Sequence, residues 1–153
     1  MIETLIYFHS LLRWLVLFAL LLAIYRAFRG WSVKKSVFSK TDNAIRHWTA
    51  TIAHVQLVVG ITLYTQSPVI RWFWGNFSEA VKNPDTLFFG LIHSLLMVTA
   101  VVVLTIGSAL TKRRTTDAEK YRTMLTWFSL ALVIILIAVP WPFSPWAARP
   151  YTR

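Results

Sequence analysis

The chain has 153 residues, 56% of them hydrophobic and 14% charged, with no cysteine and a formal net charge of +10. A soluble domain carries about 25% charged residues, so the composition points to an integral membrane protein, a single transmembrane domain over 1–153. Without cysteine, disulfides, thiolate metal centres and covalent haem attachment are excluded.

The first apolar run covers about Ile2 to Phe28. It lacks a basic leader region and an A-x-A-like cleavage site, so retention from Met1 is expected. The second covers about Asn43 to Ser67, the third about Pro84 to Leu110, and the fourth about Asp117 to Val139. Each reaches the roughly 20 residues that cross a hydrocarbon core as a helix. The runs do not alternate as strands do. Asn83-Pro84 reads as an N-cap followed by proline at the first helical position. Thr116-Asp117-Ala118-Glu119 fits a capping box, and Pro140 and Pro142 stop the fourth run. The expected fold is all-α: an antiparallel four-helix transmembrane bundle.

Charge placement sets the expected orientation. Arg26, Arg29, Lys34, Lys35, Lys40 and Arg46 cluster between runs one and two. Lys112, Arg113, Arg114, Lys120 and Arg122 cluster between runs three and four. The intervening loop has Arg71 and Lys82, offset by Glu79 and Asp85. Both basic loops are therefore expected on the cytoplasmic side, with both termini opposite. This accounts for the basic balance as topology and contact with anionic lipid, and argues against nucleic acid as a partner. The aromatic stretch after run two, from Pro68 to Phe77, is expected to anchor at the outer interface, as a short helix or loop. Trp141 and Trp146 complete that aromatic belt.

No Asp or Glu lies near the middle of a run, which removes carboxylate proton relays and di-iron sites. The polar groups at depth are His9, Arg13, His47, His54, Gln56 and His93. Intramembrane ionisable residues are functional candidates. At 1.5 Å per residue, His9 and His93 sit roughly 10 and 14 Å below the outer ends of their helices. His54 sits roughly 18 Å from either end of its own. Both His9 and His93 begin the tetrad His-Ser-Leu-Leu, on helices expected to lie parallel and diagonal. A diagonal pair leaves more room for a haem between axial ligands than packed helices about 8–10 Å apart. His9 and His93 are thus the expected axial pair, with His54 as an alternative ligand. Arg13, one turn after His9, is placed to grip a propionate. Gly90 offers close approach to a macrocycle or another helix. Met97 reads as core filler. The competing readings are histidines that hydrogen-bond between helices, with His47 interfacial, and a His9, His54 and His93 set for copper or zinc.

Four features occur together. His9-Ser10-Leu11-Leu12-Arg13-Trp14 opens the first run, and Ala53-His54-Val55-Gln56-Leu57 with Gly60 marks the second. His93 with Met97 marks the third, and Val139-Pro140-Trp141-Pro142-Phe143 closes the fourth. Over about the whole chain this resembles a group of small bacterial four-span membrane proteins labelled cytochrome-b-like. The resemblance implies haem b and a role near electron transfer in a bacterium. With the charge placement, the expected setting is the inner membrane with both termini periplasmic, and the expected role is electron transfer near a quinone pool within a larger complex or homo-oligomer. The group carries an acidic residue directly before the third-run histidine; here it is Ile92. The alternative expectation is a non-catalytic accessory or assembly subunit.

Overall fold

The computed structural model describes residues 2–33, 36–144, 147 and 149. Lys34, Lys35 and Trp146, assigned above to the basic loop and the aromatic belt, lie outside the described residues. The elements are α1 (Ile2–Ser32), α2 (Lys40–Gln66), the short helices α3 (Pro68–Gly75), α4 (Phe77–Ala80) and α5 (Pro84–Leu87), a π-helical turn (Phe88–Ile92), α6 (His93–Arg113) and α7 (Asp117–Ala138). No strand occurs among the described residues.

Local chemistry explains the boundaries. Asn83 caps α5 by accepting from the Asp85 and Thr86 amides, with Pro84 at the first helical position. Thr116 and Glu119 form the expected capping box on α7. A second capping box, Ser39 with Asp42, starts α2 three residues before the sequence suggested. The aromatic stretch after α2 is indeed a helix, α3.

Three stretches are long and apolar enough to cross a membrane: Ile2–Ser32, Pro84–Arg113 and Asp117–Ala138. Only 22%, 22% and 39% of their most apolar windows is buried, so most of this apolar surface faces outward. Phe18, Leu95 and Ile137 are among the large side chains exposed there. Such a surface is suited to lipid rather than water. α2 is 27 residues long but carries Asp42, Asn43, Arg46, His47, His54 and Gln56, which dilute its hydropathy. Exposed hydroxyls are satisfied locally: Thr62, Thr99 and Thr105 each donate to the carbonyl four residues back.

The long helices touch in a ring. α1 meets α2 and α7, α6 meets α2 and α7, and α1 and α6 occupy the diagonal. Small residues line the centre: Ala23, Ala27, Ala100, Ala131 and Ala138 are fully buried, with Leu20, Phe128 and Met124 between them. Small side chains let helices without a hydrophobic driving force approach closely. Gly107 shows the tolerance, since a Cβ there would run into Trp127 of α7.

One end of the ring is tied by charge. The Asp42 carboxylate, 1% exposed, accepts from Arg26 of α1 at 2.8 and 2.9 Å. The Tyr121 hydroxyl of α7 stands 2.8 Å from the same carboxylate and 2.9 Å from the Val37 carbonyl. The Tyr121 ring reaches this point by lying against Gly30, where a Cβ would block it. One turn along α2, buried Arg46 donates to the Ser108 carbonyl at 3.0 Å, to the Ser108 hydroxyl and to Asn43. Arg26 and Arg46 are therefore not simply loop cations, as their sequence neighbourhood suggested. Their helices overlap a buried acid and a buried helix end, and they serve those. Trp141 likewise turns inward: its indole donates to the Leu136 carbonyl at 2.8 Å and its ring meets Trp14 edge-on.

The Asp42 network has a pH signature. Burial raises the Asp42 carboxyl, but hydrogen bonds from Ser39, Tyr121 and Arg26 outweigh it and hold the group below its usual range. A depressed acid stabilises the fold above its unfolded pKa, about 3.9, and that contribution is lost as pH falls through the folded value. Asp42→Asn should cost about 1–3 kcal/mol in unfolding in detergent at pH 7, and the gap from wild type should shrink below pH 4. An unchanged gap would remove Asp42 as the tie.

Candidate functional site

α1 and α6 hardly meet elsewhere, yet His9 and His93 meet across the diagonal. Their ring centroids are 6.4 Å apart and their planes cross at 70°. Two imidazoles on opposite sides of one metal ion, each bonded at roughly 2.0 Å, have centroids roughly 6 Å apart. The observed separation is close to that spacing and equally falls within the roughly 4.5–7 Å of a direct edge-to-face ring contact.

Each histidine is positioned by its surroundings. The His93 Nδ1 lies 2.8 Å from the Ala138 carbonyl at the end of α7. A carbonyl only accepts, so Nδ1 carries the proton and the neutral ring keeps its lone pair on Nε2. Phe88 and Phe89 pack against the ring, with centroids at 5.7 and 6.1 Å. The π turn just before His93 sets its direction: the His93 amide donates to the Phe88 carbonyl, five residues back. The extra residue turns His93 by roughly 100° relative to a continuous α-helix.

The space beside Gly90 in that turn is occupied. The Phe73 ring of α3 lies where a Cβ would be, with ring atoms 2.5–2.7 Å from that position. The Gly90 carbonyl accepts from Tyr64 at 2.8 Å, and Tyr64 accepts from the Trp74 indole at 2.8 Å. Of the two approaches expected at Gly90, the helix, not a macrocycle, takes the site. Gly60 plays the other role: a Cβ there would stand 3.2 Å from His9 Cε1, so its bareness seats the His9 ring against α2.

Gln56 joins the site from α2. Its Nε2 donates to the His9 carbonyl at 3.0 Å, while its Oε1 and the His9 Nδ1 are both buried without a hydrogen-bond partner among the described residues. A buried polar atom left unpaired is costly, so both call for a further group. Arg13 follows one turn after His9, with its guanidinium carbon 5.5 Å from the centre of the Trp14 ring.

His54 is placed apart. Its Nε2 meets the Thr105 hydroxyl of α6 at 2.9 Å. That hydroxyl already donates to the Val101 carbonyl at 2.6 Å, so His54 Nε2 is the donor. His54 precedes Gly60 by six residues, roughly 9 Å of helix, and Thr105 follows His93 by twelve, roughly 18 Å. His47 is exposed and lies 5.9 Å from the Trp48 ring, as an interfacial residue would. Among the described residues, no group of three His, Cys, Asp or Glu side chains gathers as a metal site.

The chain matches no protein-family model, no curated protein and no solved structure.

His54 thus behaves as a bond between α2 and α6. His54→Ala should cost about 0.6 kcal/mol, the mean for interhelical bonds in a membrane bundle, measured by unfolding in detergent. A loss near 3 kcal/mol would show a larger role for it.

Proposed function

We propose that this chain is a b-type haem-binding membrane protein that passes single electrons, built as an antiparallel four-span bundle with α2 as the fourth span. The observation that supports this reading is the His9–His93 pair, brought together from two diagonal helices with ring centroids 6.4 Å apart, so that the two imidazoles could hold one haem iron. The bundle geometry is supported by contacts that descend along one helix as they ascend along its neighbour. Arg46, His54 and Tyr64 of α2 meet Ser108, Thr105 and Gly90. Thr49 and Gln56 meet Ala19 and His9 of α1.

The residues present fit the group. His93 offers Nε2 because Ala138 holds its other nitrogen, and His9 has a buried ring nitrogen with no hydrogen-bond partner among the described residues. Bound haem would supply a one-electron couple tuned by its axial ligands and burial. Phe88 and Phe89 exclude water beside His93. Arg13, on the His9 helix, is the cation we assign to a propionate. A protein of this size, with its chemistry inside the bundle, works beside partners: a quinone in the bilayer and a larger redox complex. The basic ends of its helices favour a bacterial cytoplasmic membrane with both termini periplasmic.

A second reading is favoured by the His54–Thr105 and His93–Ala138 bonds, each of which joins two helices. In it the protein is a colourless accessory subunit whose histidines only fasten the bundle. Visible spectra of purified variants separate the two. Wild type should show a low-spin Soret band that shifts on reduction. His9→Ala and His93→Ala should each abolish the low-spin form, while His47→Ala and His54→Ala should keep it. A His9→Ala protein with an unchanged spectrum would end the axial assignment.

A further inference from the structure

A cavity of about 260 Å³ lies at the opposite end of the bundle from the histidine pair, among Phe38, Ser39, Lys40, Asn43, Thr111, Lys112 and Lys120. Its three lysines come from three helices: Lys40 opens α2, Lys112 lies in the last turn of α6, and Lys120 lies in the first turns of α7. Among the described residues, no carboxylate lines it. Asp117 stands 3.4 Å from Lys120 Nζ and offsets part of that one charge. Lys120 Nζ also lies 5.8 Å from the Phe38 ring centre, which holds the ammonium at the cavity wall.

The neutral groups point the same way. Asn43 Oδ1 accepts twice from Arg46, at 3.0 and 3.1 Å. Its acceptor end is thereby committed, and the amide hydrogens remain as donors for the cavity. Thr111 and Ser39 already spend their protons, on the Gly107 carbonyl and on Asp42. The cavity therefore presents three ammonium groups and an amide donor. The start of α2 adds the positive end of a helix dipole, opposed by the C-terminal turn of α6 that carries Thr111 and Lys112.

We propose that this cavity binds a phosphate monoanion, the headgroup phosphate of an anionic phospholipid. Its volume falls below the roughly 300–1,000 Å³ of sites for drug-sized ligands and suits a headgroup. Its position, where apolar helices end in a cluster of lysines, is the headgroup level of a bilayer. A phosphate there bridges α2 to both α6 and α7, so it adds to the Arg46–Ser108 tie between α2 and α6. The site is independent of any haem at His9 and His93.

The test uses full-length protein in non-ionic detergent. Lipid retention is measured by native mass spectrometry with phosphatidylglycerol or phosphatidylcholine, and thermal stability with each lipid and with inorganic phosphate. Wild type should retain phosphatidylglycerol about tenfold better than phosphatidylcholine and be stabilised by it. Lys40→Gln/Lys112→Gln should lose that preference, each single exposed-lysine variant part of it, and Lys82→Gln none. Stabilisation by inorganic phosphate, lost in the double variant, would keep the site and assign it to a soluble anion. Equal retention by wild type and the double variant, or indifference of wild type to both anions, would overturn the proposal.

Discussion

A polar group set among apolar helices must find its partner within the chain, because lipid offers none. This constraint organises the molecule. It explains why hydroxyls on the outer faces bond back to their own helices. It also explains why buried Asp42 and Arg46 each contact more than one helix. At that end the demand is met: Arg26, Tyr121 and Ser39 surround the Asp42 carboxylate. The polar layer there works as a clamp.

At the histidine end the same demand is met only in part. His93 has the Ala138 carbonyl, but His9 Nδ1 and Gln56 Oε1 have no hydrogen-bond partner among the described residues. The two layers thus differ in kind. A fully satisfied network fixes structure. A buried layer with open valences, backed by aromatic walls, is suited to something bound. The π turn sets the direction of His93, and the bare Gly60 seats the His9 ring against α2. Such turns cluster at functional sites.

Much of this was legible in the sequence. Long apolar runs announced an all-helical chain, and the Asn83-Pro84 start and the Thr116 capping box marked two helix starts, because these signals are local. The depth match of His9 and His93 followed from counting residues along regular helices. What escaped was non-local or irregular. Phe88-Phe89-Gly90-Leu91-Ile92 reads as unbroken α-helix, since nothing in an apolar pentad announces a sixth residue in the turn. His54 shares a depth estimate with the other histidines, but its direction depends on α2's rotation, which the sequence leaves open. Arg26 and Arg46 sat among loop cations, and only the partner Asp42, with the Ser39 cap, could have drawn them inward. Gln56 was visible as a polar residue at depth, without any sign that its amide reaches the His9 carbonyl.

The proposed haem site requires that something lie between His9 and His93. Haem content measures this directly: protein purified from membranes, folded by its thermal transition, assayed for haem against peptide concentration. A value near one haem per chain is expected. Folded protein that carries none, even when expressed with haem supplied, would contradict the ligand pair and leave the two rings as a bond between helices.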